Sequence, residues 1–356
     1  TMYFQTLANQ ILDQPDFMID LGDSVRVGPS ESSIVTGYLL QRQALGQLGG
    51  SIPVFMALGN VENEEGWFRD GTPNNPAVIS TNVRKLYYPN PVPNQFYSGD
   101  TDNWNSEGVT GDGLRESYFA FEWGDALFVV LDPFWHTTTK PHSEEGGSDP
   151  GTGSGDGWDW TLGDNQYFWL KETLEQSNAT YKFVFSHHTT SGPPEELFPR
   201  GGIAAAPYFE WGGLNANGSY GFNARRPSWP MPVHDLMVAN GVDVFFHGHD
   251  HAFAYEELDG IIYQLVPQPS DPSYGFGWLE DVNYYPTANL MNNSGHLRVT
   301  ISPTSANIEY VRAFLNGESQ GGFSNLDVAY SYIIPAGQGN IPPVANNDSA
   351  SVTRRS

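Results

Sequence analysis

The chain contains no cysteine, few cations and no long apolar segment. The absence of cysteine excludes disulfides, thiolate metal sites and a cysteine nucleophile. Only 16 Lys and Arg stand against 41 Asp and Glu, and the net charge of −25 opposes binding to duplex nucleic acid and to anionic membranes. No apolar run reaches the ~18 residues that a membrane span needs. A phosphorylated substrate would therefore depend on local cations, such as bound metal ions, to offset this charge.

Three histidines crowd the end of one apolar segment. Residues 242–247 read Val-Asp-Val-Phe-Phe-His, which predicts a buried strand. Gly248-His249-Asp250-His251 follows it directly. Imidazole is the commonest metal ligand among side chains, and open α/β sheets place their sites beyond the carboxyl ends of strands. Taken alone, however, Gly-His-x-His also fits a polar turn.

The order of apolar segments predicts an α/β protein. A helix over 2–13, a strand over 16–21, a helix over 34–48 and a strand over 53–58 indicate a parallel βαβ unit. Further along we predict a hairpin over 117–132, helices over 164–176 and 232–240, a strand over 181–185, and a final antiparallel sheet from strands near 252–258, 261–266, 296–301 and 307–313. Residues 63–116, 133–160 and 189–231 are predicted to be long irregular loops that frame the mouth of a site.

Metal-ligand side chains follow four of the predicted strands. They are Asp23, Asn60, His187 and the pair His249 and His251. Each comes directly after an apolar run, and only a fold can bring residues so far apart in sequence together. One carboxylate, one amide and three imidazoles form an oxygen and nitrogen set that suits Mn, Fe or Zn.

These segments resemble the sequence blocks of the calcineurin-like metallophosphoesterases, which include purple acid phosphatases and many secreted bacterial phosphatases. The matching segments are Gly22-Asp23, Gly59-Asn60-Val61-Glu62, His187 and Gly248-His249-Asp250-His251, in the family's order. The resemblance implies a sandwich of two mixed β-sheets flanked by helices, with long loop insertions. It also implies hydrolysis of phosphate mono- or diesters at two transition-metal ions, with a metal-bound hydroxide as the nucleophile.

The same resemblance implies a role for each matching residue. Asp23 would bridge the two ions and take part in catalysis. Asn60, His187 and His249 would hold the second ion, and His251 the first. Asn60 would also contact the substrate. Two such ions bind a phosphoryl group, lower the pKa of a bound water and stabilise developing charge.

The chain departs from the family pattern at two places. No Asp-x-His block is present, and we expect it on a strand upstream of residue 1. Val61 stands where the family has a histidine that contacts the phosphate or protonates the leaving group. Proton donation is typically worth 10²–10⁴-fold in rate. We therefore expect weak activity unless another residue substitutes or the substrate has a good leaving group. His188 is the candidate catalytic residue for this role, and a loop residue is the alternative.

Residues in the long loops are candidates for further contacts. Arg225, Arg226 and Trp135 are predicted to contact a small phosphorylated substrate. The acidic loop that holds Asp149, Asp156 and Asp159 is a candidate for Ca²⁺, but a solvated acidic loop explains it better, because the spacing matches no calcium-binding motif.

We predict one phosphoesterase domain over residues 1–335 and a linker over 336–356. Residues 342–352 resemble the opening of the cadherin-like or Ig-like repeats of large bacterial surface proteins. This resemblance predicts a secreted, extracellular or periplasmic bacterial protein with a further module downstream.

Two alternatives to catalysis remain open at this stage. The absent Asp-x-His block and Val61 are compatible with a degenerate fold that binds a metal or a ligand without turnover. The many loop tryptophans are compatible with a carbohydrate-binding or adhesive surface module.

Overall fold

In the computed structural model the chain forms a large mixed sheet with a layer of structure on each face. The structure describes residues 1–26, 28–48, 50–102, 113–141, 155–193, 200–276, 284–287 and 289–337. The helices are α1 (Met2–Leu12), α2 (Glu31–Leu45), α3 (Pro76–Tyr87), α4 (Gly163–Gln176), α5 (Phe209–Gly212), α6 (Phe222–Arg225) and α7 (Val233–Ala239).

The strands form three sheets. They are β1 (Met18–Asp20), β2 (Val54–Met56), β3 (Ser98–Gly99), β4 (Phe119–Trp123), β5 (Ala126–Val130), β6 (Tyr181–Ser186), β7 (Val244–His247), β8 (Phe253–Leu258), β9 (Ile261–Leu265), β10 (Leu290–Met291), β11 (Gly295–Ile301), β12 (Ser305–Arg312) and β13 (Val328–Pro335). The large sheet has the order β10-β8-β9-β7-β6-β5-β4-β3, while β1 and β2 form a parallel pair and β11, β12 and β13 a separate antiparallel sheet.

The central strands are apolar throughout because both of their faces are covered. Strands β5, β6, β7 and β9 run parallel, and continuous apolar runs are typical of such strands. One face packs on α4 and α7 through residues such as Leu170 and Leu236. The other face packs on the two smaller sheets through residues such as Phe128 and Phe246. This arrangement confirms the predicted α/β fold, with the second layer made of two sheets.

Several predicted elements are wrong in detail. Residues 63–116 are not irregular throughout, because α3 lies within them. Its start carries clear signals, since the Asn75 side chain accepts a hydrogen bond from the Val78 N–H and Pro76 occupies the first turn. Strands β8 and β9 extend the large sheet instead of joining β11 and β12, and β13 was not predicted.

Only the beginning of the predicted carboxyl-terminal linker lies within the described residues. Strand β13 ends at Pro335, and residues 338–356 lie outside the described residues. The predicted linker and downstream module therefore stay predictions. Within the described ranges no helix is both long and apolar enough to cross a membrane.

The buried carboxyl of Asp243 should make the protein less stable as the pH rises. Its Oδ2 accepts the Lys182 N–H at 2.8 Å, and burial raises the pKa of Asp243 to about 6. In the unfolded chain the Asp243 carboxyl has a pKa near 3.9. Between about pH 4 and pH 6 this carboxyl is therefore protonated in the native state and ionised in the unfolded state. The stability that this proton provides is lost as the pH rises through that window.

We expect Asp243→Asn to be more stable than the parent at pH 8, by about 1 to 3 kcal/mol, and similar to it near pH 4. An amide oxygen still accepts the Lys182 N–H, while the buried charge is gone. Urea unfolding at the two pH values measures this. The exposed Asp16→Asn is the control for net charge, and equal gains in both variants would contradict the prediction.

Candidate metal centre

The candidate ligands meet where four strands end. Asp23 and Asn60 follow the paired strands β1 and β2, and His187 and His249 follow β6 and β7, which are neighbours in the large sheet. The two sheets face each other, so both pairs of loops emerge at one end of the sandwich. This placement brings together four of the five residues that were predicted from the sequence to hold metal.

Two glycines allow the first two loops to touch. A Cβ on Gly22 would lie 2.4 Å from the Gly59 nitrogen, and a Cβ on Gly59 would lie 2.3 Å from the Asp23 nitrogen. No other residue fits either position without moving backbone. Asp23 itself has φ = +57°, a conformation that aspartate tolerates better than most residues. The tight turn aims its carboxylate towards the histidines.

Four potential ligand atoms lie nearly as close together as the ligands of one metal ion do. Asn60 Oδ1 is 3.0 Å from His187 Nε2 and 2.9 Å from His249 Nδ1. The two imidazole nitrogens are 3.2 Å apart, and Asp23 Oδ2 is 3.3 Å from His187 Nε2. Ligand atoms around a tetrahedral ion with bonds of about 2.1 Å are about 3.4 Å apart.

The protonation of the two histidines follows from their surroundings. His187 Nδ1 donates to the Leu21 carbonyl at 2.7 Å, which directs Nε2 to the cluster. Burial alone would lower the pKa of His187, but the Asp23 carboxylate raises it to about 9. Burial and the charge of His187 hold the pKa of His249 well below its usual value. Without a metal the cluster therefore contains an Asp23–His187 ion pair beside a neutral His249.

The donor set fits a transition metal. Asp23, His187 and His249 each offer one atom within 4.8 Å of the others, and Asn60 adds an amide oxygen. Carboxylate, amide and imidazole ligands suit Mn, Fe or Zn, and the cation would replace the proton that now pairs His187 with Asp23.

Comparison with known families identifies the chain. Residues 2–253 match the calcineurin-like phosphoesterase family. The chain belongs to this family. Membership supports phosphoester hydrolysis in general and implies divalent metal ions. No curated protein sequence matches it significantly.

The chain also aligns with solved structures at low sequence identity. A structure of PhoD aligns with a TM-score of 0.58 at 14% identity, covering 95% of this chain and 68% of PhoD. Plasmodium GAP50, an anchor in the inner membrane complex, aligns over 90% of this chain and 88% of its own at 13% identity with a TM-score of 0.39. A putative 5′-nucleotidase from Staphylococcus aureus aligns over 94% of this chain and 48% of its own at 14% identity with a TM-score of 0.38.

Two buried carboxylates, one within the phosphoesterase motifs and one just before them, have roles that the sequence does not reveal. Glu62 is fully buried and accepts backbone N–H groups from Gly59 at 2.7 Å, Asp23 at 3.1 Å and Val25 at 3.0 Å. Asp20, at the end of β1, accepts the Gly22 N–H at 2.9 Å and a hydrogen bond from a nearby serine. Burial and the charge of Asp23 raise the pKa of Glu62 to about 8. Both carboxylates shape the loop that carries Asp23.

His251 and His188 lie beside the cluster but outside it. His251 interacts electrostatically with Asp23, and its carbonyl accepts a hydrogen bond from Asn293 at 2.7 Å. The ring of His188 is fully buried and meets the ring of His249 edge-on at 5.3 Å. Its Nδ1 donates to the Thr189 carbonyl at 2.7 Å. The predicted roles of both histidines stay predictions.

The predicted substrate contacts lie in structured surroundings. Arg226 donates to Glu210 at 2.6 Å and to three backbone carbonyls, so its guanidinium has a structural role. Arg225 is half exposed and pairs with Asp156 at 3.1 Å. Trp135 is buried, with the guanidinium of Arg115 4.1 Å from its ring centre. None of them belongs to the ligand cluster, and their contact with substrate stays a prediction.

The acidic loop that was a candidate for calcium is only partly described. Asp149 lies outside the described residues. Asp156 is paired with Arg225, and Asp159 accepts the Asp156 N–H at 2.7 Å. These two carboxylates serve a loop turn and an ion pair, so calcium at this loop stays a prediction without structural support.

We expect Glu62→Gln to weaken metal binding about 10–100-fold, as loss of a residue that supports metal ligands typically does. An amide NH₂ would face backbone N–H donors that the carboxylate now accepts, so the Asp23 loop would relax. Zinc and manganese affinities, measured by titration against a competing chelator, test this.

Glu210→Gln is the matched control. Glu210 is also a fully buried glutamate that accepts a backbone N–H, from Leu162 at 2.8 Å, but outside the cluster. Equal metal affinities in the Glu62→Gln variant and the parent would contradict the prediction, whereas a loss of folding stability in both variants would not.

Proposed function

We propose that the chain hydrolyses phosphate mono- or diesters with a transition metal held by Asp23, Asn60, His187 and His249. The observation that carries this proposal is the set of four donor atoms, each within about 3.3 Å of another. A divalent ion there would neutralise phosphoryl charge and lower the pKa of a water. Family membership supports the same reaction.

The side chains divide the remaining work between them. Asn60 Oδ1 faces the two imidazoles, so its amide group lies at the edge of the ligand set where a phosphoryl oxygen would approach. Gly22 and Gly59 let the two loops approach each other. The carboxyls of Glu62 and Asp20 accept hydrogen bonds from the backbone of the Asp23 loop. The ligands are thus placed before substrate arrives, which lowers the cost of reorganisation.

The two-metal form of the mechanism requires a second ion beside Asp23. His251 is the further ligand that the family pattern supplies, and its charge interacts with Asp23. We also propose that the protein is secreted, as the resemblance of residues 342–352 to the repeats of bacterial surface proteins implies.

A non-catalytic metal-binding chain is the second candidate. It is favoured by Val61 at the position of the family histidine and by the compact single cluster of Asp23, His187 and His249 in the described residues. Full metal occupancy without hydrolysis of any ester would select this candidate.

We expect Asp23→Ala and His249→Ala to lose bound metal and to reduce kcat/KM to that of the metal-free protein. Elemental analysis and hydrolysis of p-nitrophenyl phosphate and bis(p-nitrophenyl) phosphate measure both effects. His136→Ala is the control, because His136 pairs with Asp102 away from the cluster. Activity that survives in the two ligand variants would overturn the proposed function.

The proton donor can be located from the leaving group. If His188 donates the proton, His188→Gln will lower kcat for an alkyl phosphate about 10²-fold or more and will affect an activated aryl phosphate much less. Metal content should stay unchanged. An equal loss for both esters would instead assign His188 to positioning His249, whose ring it contacts.

Val61→His should act in the opposite direction. A histidine next to Asn60 would supply the missing donor and raise kcat for an alkyl phosphate about 10²-fold. Val61→Leu controls for the change in size at this loop. The prediction fails if both variants behave alike towards alkyl and aryl esters.

A further inference from the structure

A buried segment, Arg200-Gly201-Gly202, packs against the end of strand β7. A Cβ on Gly201 would overlap the ring of His247, so the backbone of this segment comes closer to the strand than any larger residue allows. His247 is the last residue of β7 and stands two positions before the candidate ligand His249. The segment therefore lies next to the loop that presents this ligand.

The backbone of Arg200 is bound to the loop that follows β6. Its carbonyl accepts the Thr189 N–H at 3.0 Å, and its own N–H donates to the Ser191 carbonyl at 2.9 Å. Thr189 comes two positions after the candidate ligand His187, and residues 186–191 are all buried. These bonds fix Arg200 relative to the loop that carries His187.

The side chain of Arg200 reaches the loop that follows β7. Its Nη1 donates to Oδ1 of Asp250, which stands between His249 and His251. The other carboxylate oxygen, Oδ2, accepts a hydrogen bond from the hydroxyl of Tyr285. Asp250 is only 2% exposed, and a carboxylate is stable at such a place only when it is paired and hydrogen-bonded. The two donors therefore anchor the Asp250 side chain.

The turn around Asp250 is tight. His249 has φ = +69°, a left-handed conformation that costs free energy even though histidine adopts it more readily than most residues. The Asp250 N–H donates to the Gly248 carbonyl at 2.9 Å, and the Ala252 N–H donates to the Asp250 carbonyl at 3.1 Å. Because its side chain is anchored as well, Asp250 holds this turn, which places His249 Nδ1 2.9 Å from Asn60 Oδ1.

Arg200 thus joins the two loops that carry the histidine ligands, as Glu62 joins the other two loops of the site. Glu62 accepts backbone N–H groups from both of its loops, whereas Arg200 binds one loop with its backbone and the other with its guanidinium. The relative position of the histidine loops sets the distance between His187 Nε2 and His249 Nδ1, which is 3.2 Å. A metal ion is sensitive to this distance, because its bonds have nearly fixed lengths and angles.

We propose that Arg200 is a positioning residue of the candidate metal centre and acts on the histidine ligands through Asp250. This inference rests on the metal site of the proposed function, but not on hydrolysis. Loss of the guanidinium would remove a cationic donor from Asp250. The turn would then relax, and the imidazole of His249 would lose its alignment with that of His187.

Cobalt binding tests the proposal, because Co²⁺ takes the same nitrogen and oxygen ligands and its visible spectrum reports their geometry. We expect Arg200→Gln to bind Co²⁺ about 10–100-fold more weakly than the parent, as loss of a group that orients a metal ligand typically does. At saturating cobalt its absorption bands should differ from those of the parent. A residue that only stabilises the fold would leave these bands unchanged.

Arg298→Gln is the matched control. Arg298 also binds carboxylates from other elements, Asp13 after α1 at 2.7 Å and Glu309 on β12 at 2.9 Å, but it lies on β11 outside the ligand cluster. This variant should match the parent in cobalt affinity and in spectrum even where its Tm falls.

A double-mutant cycle with Asp250→Asn tests whether Arg200 acts through Asp250. If it does, the double variant should bind cobalt no more weakly than the weaker of the two single variants. The double variant also guards against misfolding, because it leaves neither charge of the buried pair without its partner. Even if Arg200→Gln does not fold, equal cobalt affinities of the double variant and the parent would contradict the proposal.

Three further outcomes separate this inference from the proposed function. Parent-like affinity and spectrum in Arg200→Gln, with or without a lower Tm, would overturn the inference alone. Losses of affinity that add up in the double variant would also overturn it alone, since Arg200 would then act independently of Asp250. A parent chain that binds no cobalt would overturn the proposed function and this inference together.

Discussion

The carboxylate of Glu62 holds together the two loops that carry Asp23 and Asn60. It is buried, it accepts three backbone N–H groups, and these come from both loops. The glycines at 22 and 59 let the loops meet, but glycine alone supplies no attraction. The hydrogen bonds to Glu62 do, and the turn at Asp23 keeps its positive φ because the backbone on both sides of it is bound. The positions of the candidate ligands therefore depend on Glu62, which is not itself a candidate ligand.

The ligand cluster is buried, and the charges of its carboxylate and imidazoles depend on one another. The Asp23 carboxylate and the His187 imidazolium stabilise each other. His249 stays neutral because burial, and then the positive charge of His187, lower its pKa. A divalent cation fits the same cluster. Its positive charge would interact with the Asp23 carboxylate, and both imidazoles must be neutral to bind it. The site is thus arranged for a proton or a metal ion, and the two compete for one set of lone pairs.

The sequence predicted the strands and their ends better than the way the strands associate. Continuous apolar runs locate β6 and β7, and the polar residues after them locate His187 and His249. The sheet that each strand joins could not be predicted in the same way. Nothing in the sequence of residues 253–265 shows that β8 and β9 belong to the large sheet. Helix α3 was hidden by its surroundings, since Asn, Gly and Pro dominate the segment, although Asn75 and Pro76 are signals of a helix start. The tasks of Glu62 and Arg226 depend on contacts between distant residues, which no local pattern reveals.

Glu62 and Glu256 show what separates a completed buried carboxylate from an incomplete one. Both are buried, and burial raises the pKa of both. Glu62 accepts three N–H groups, so its oxygens are satisfied by the backbone that it organises. Glu256 receives one, from Ile203, and its second oxygen faces a wall without a donor in the described residues. Glu62 thus completes its hydrogen-bond network, whereas Glu256 keeps one acceptor without a donor in the described residues. A buried acceptor left without a donor raises the free energy of the folded state.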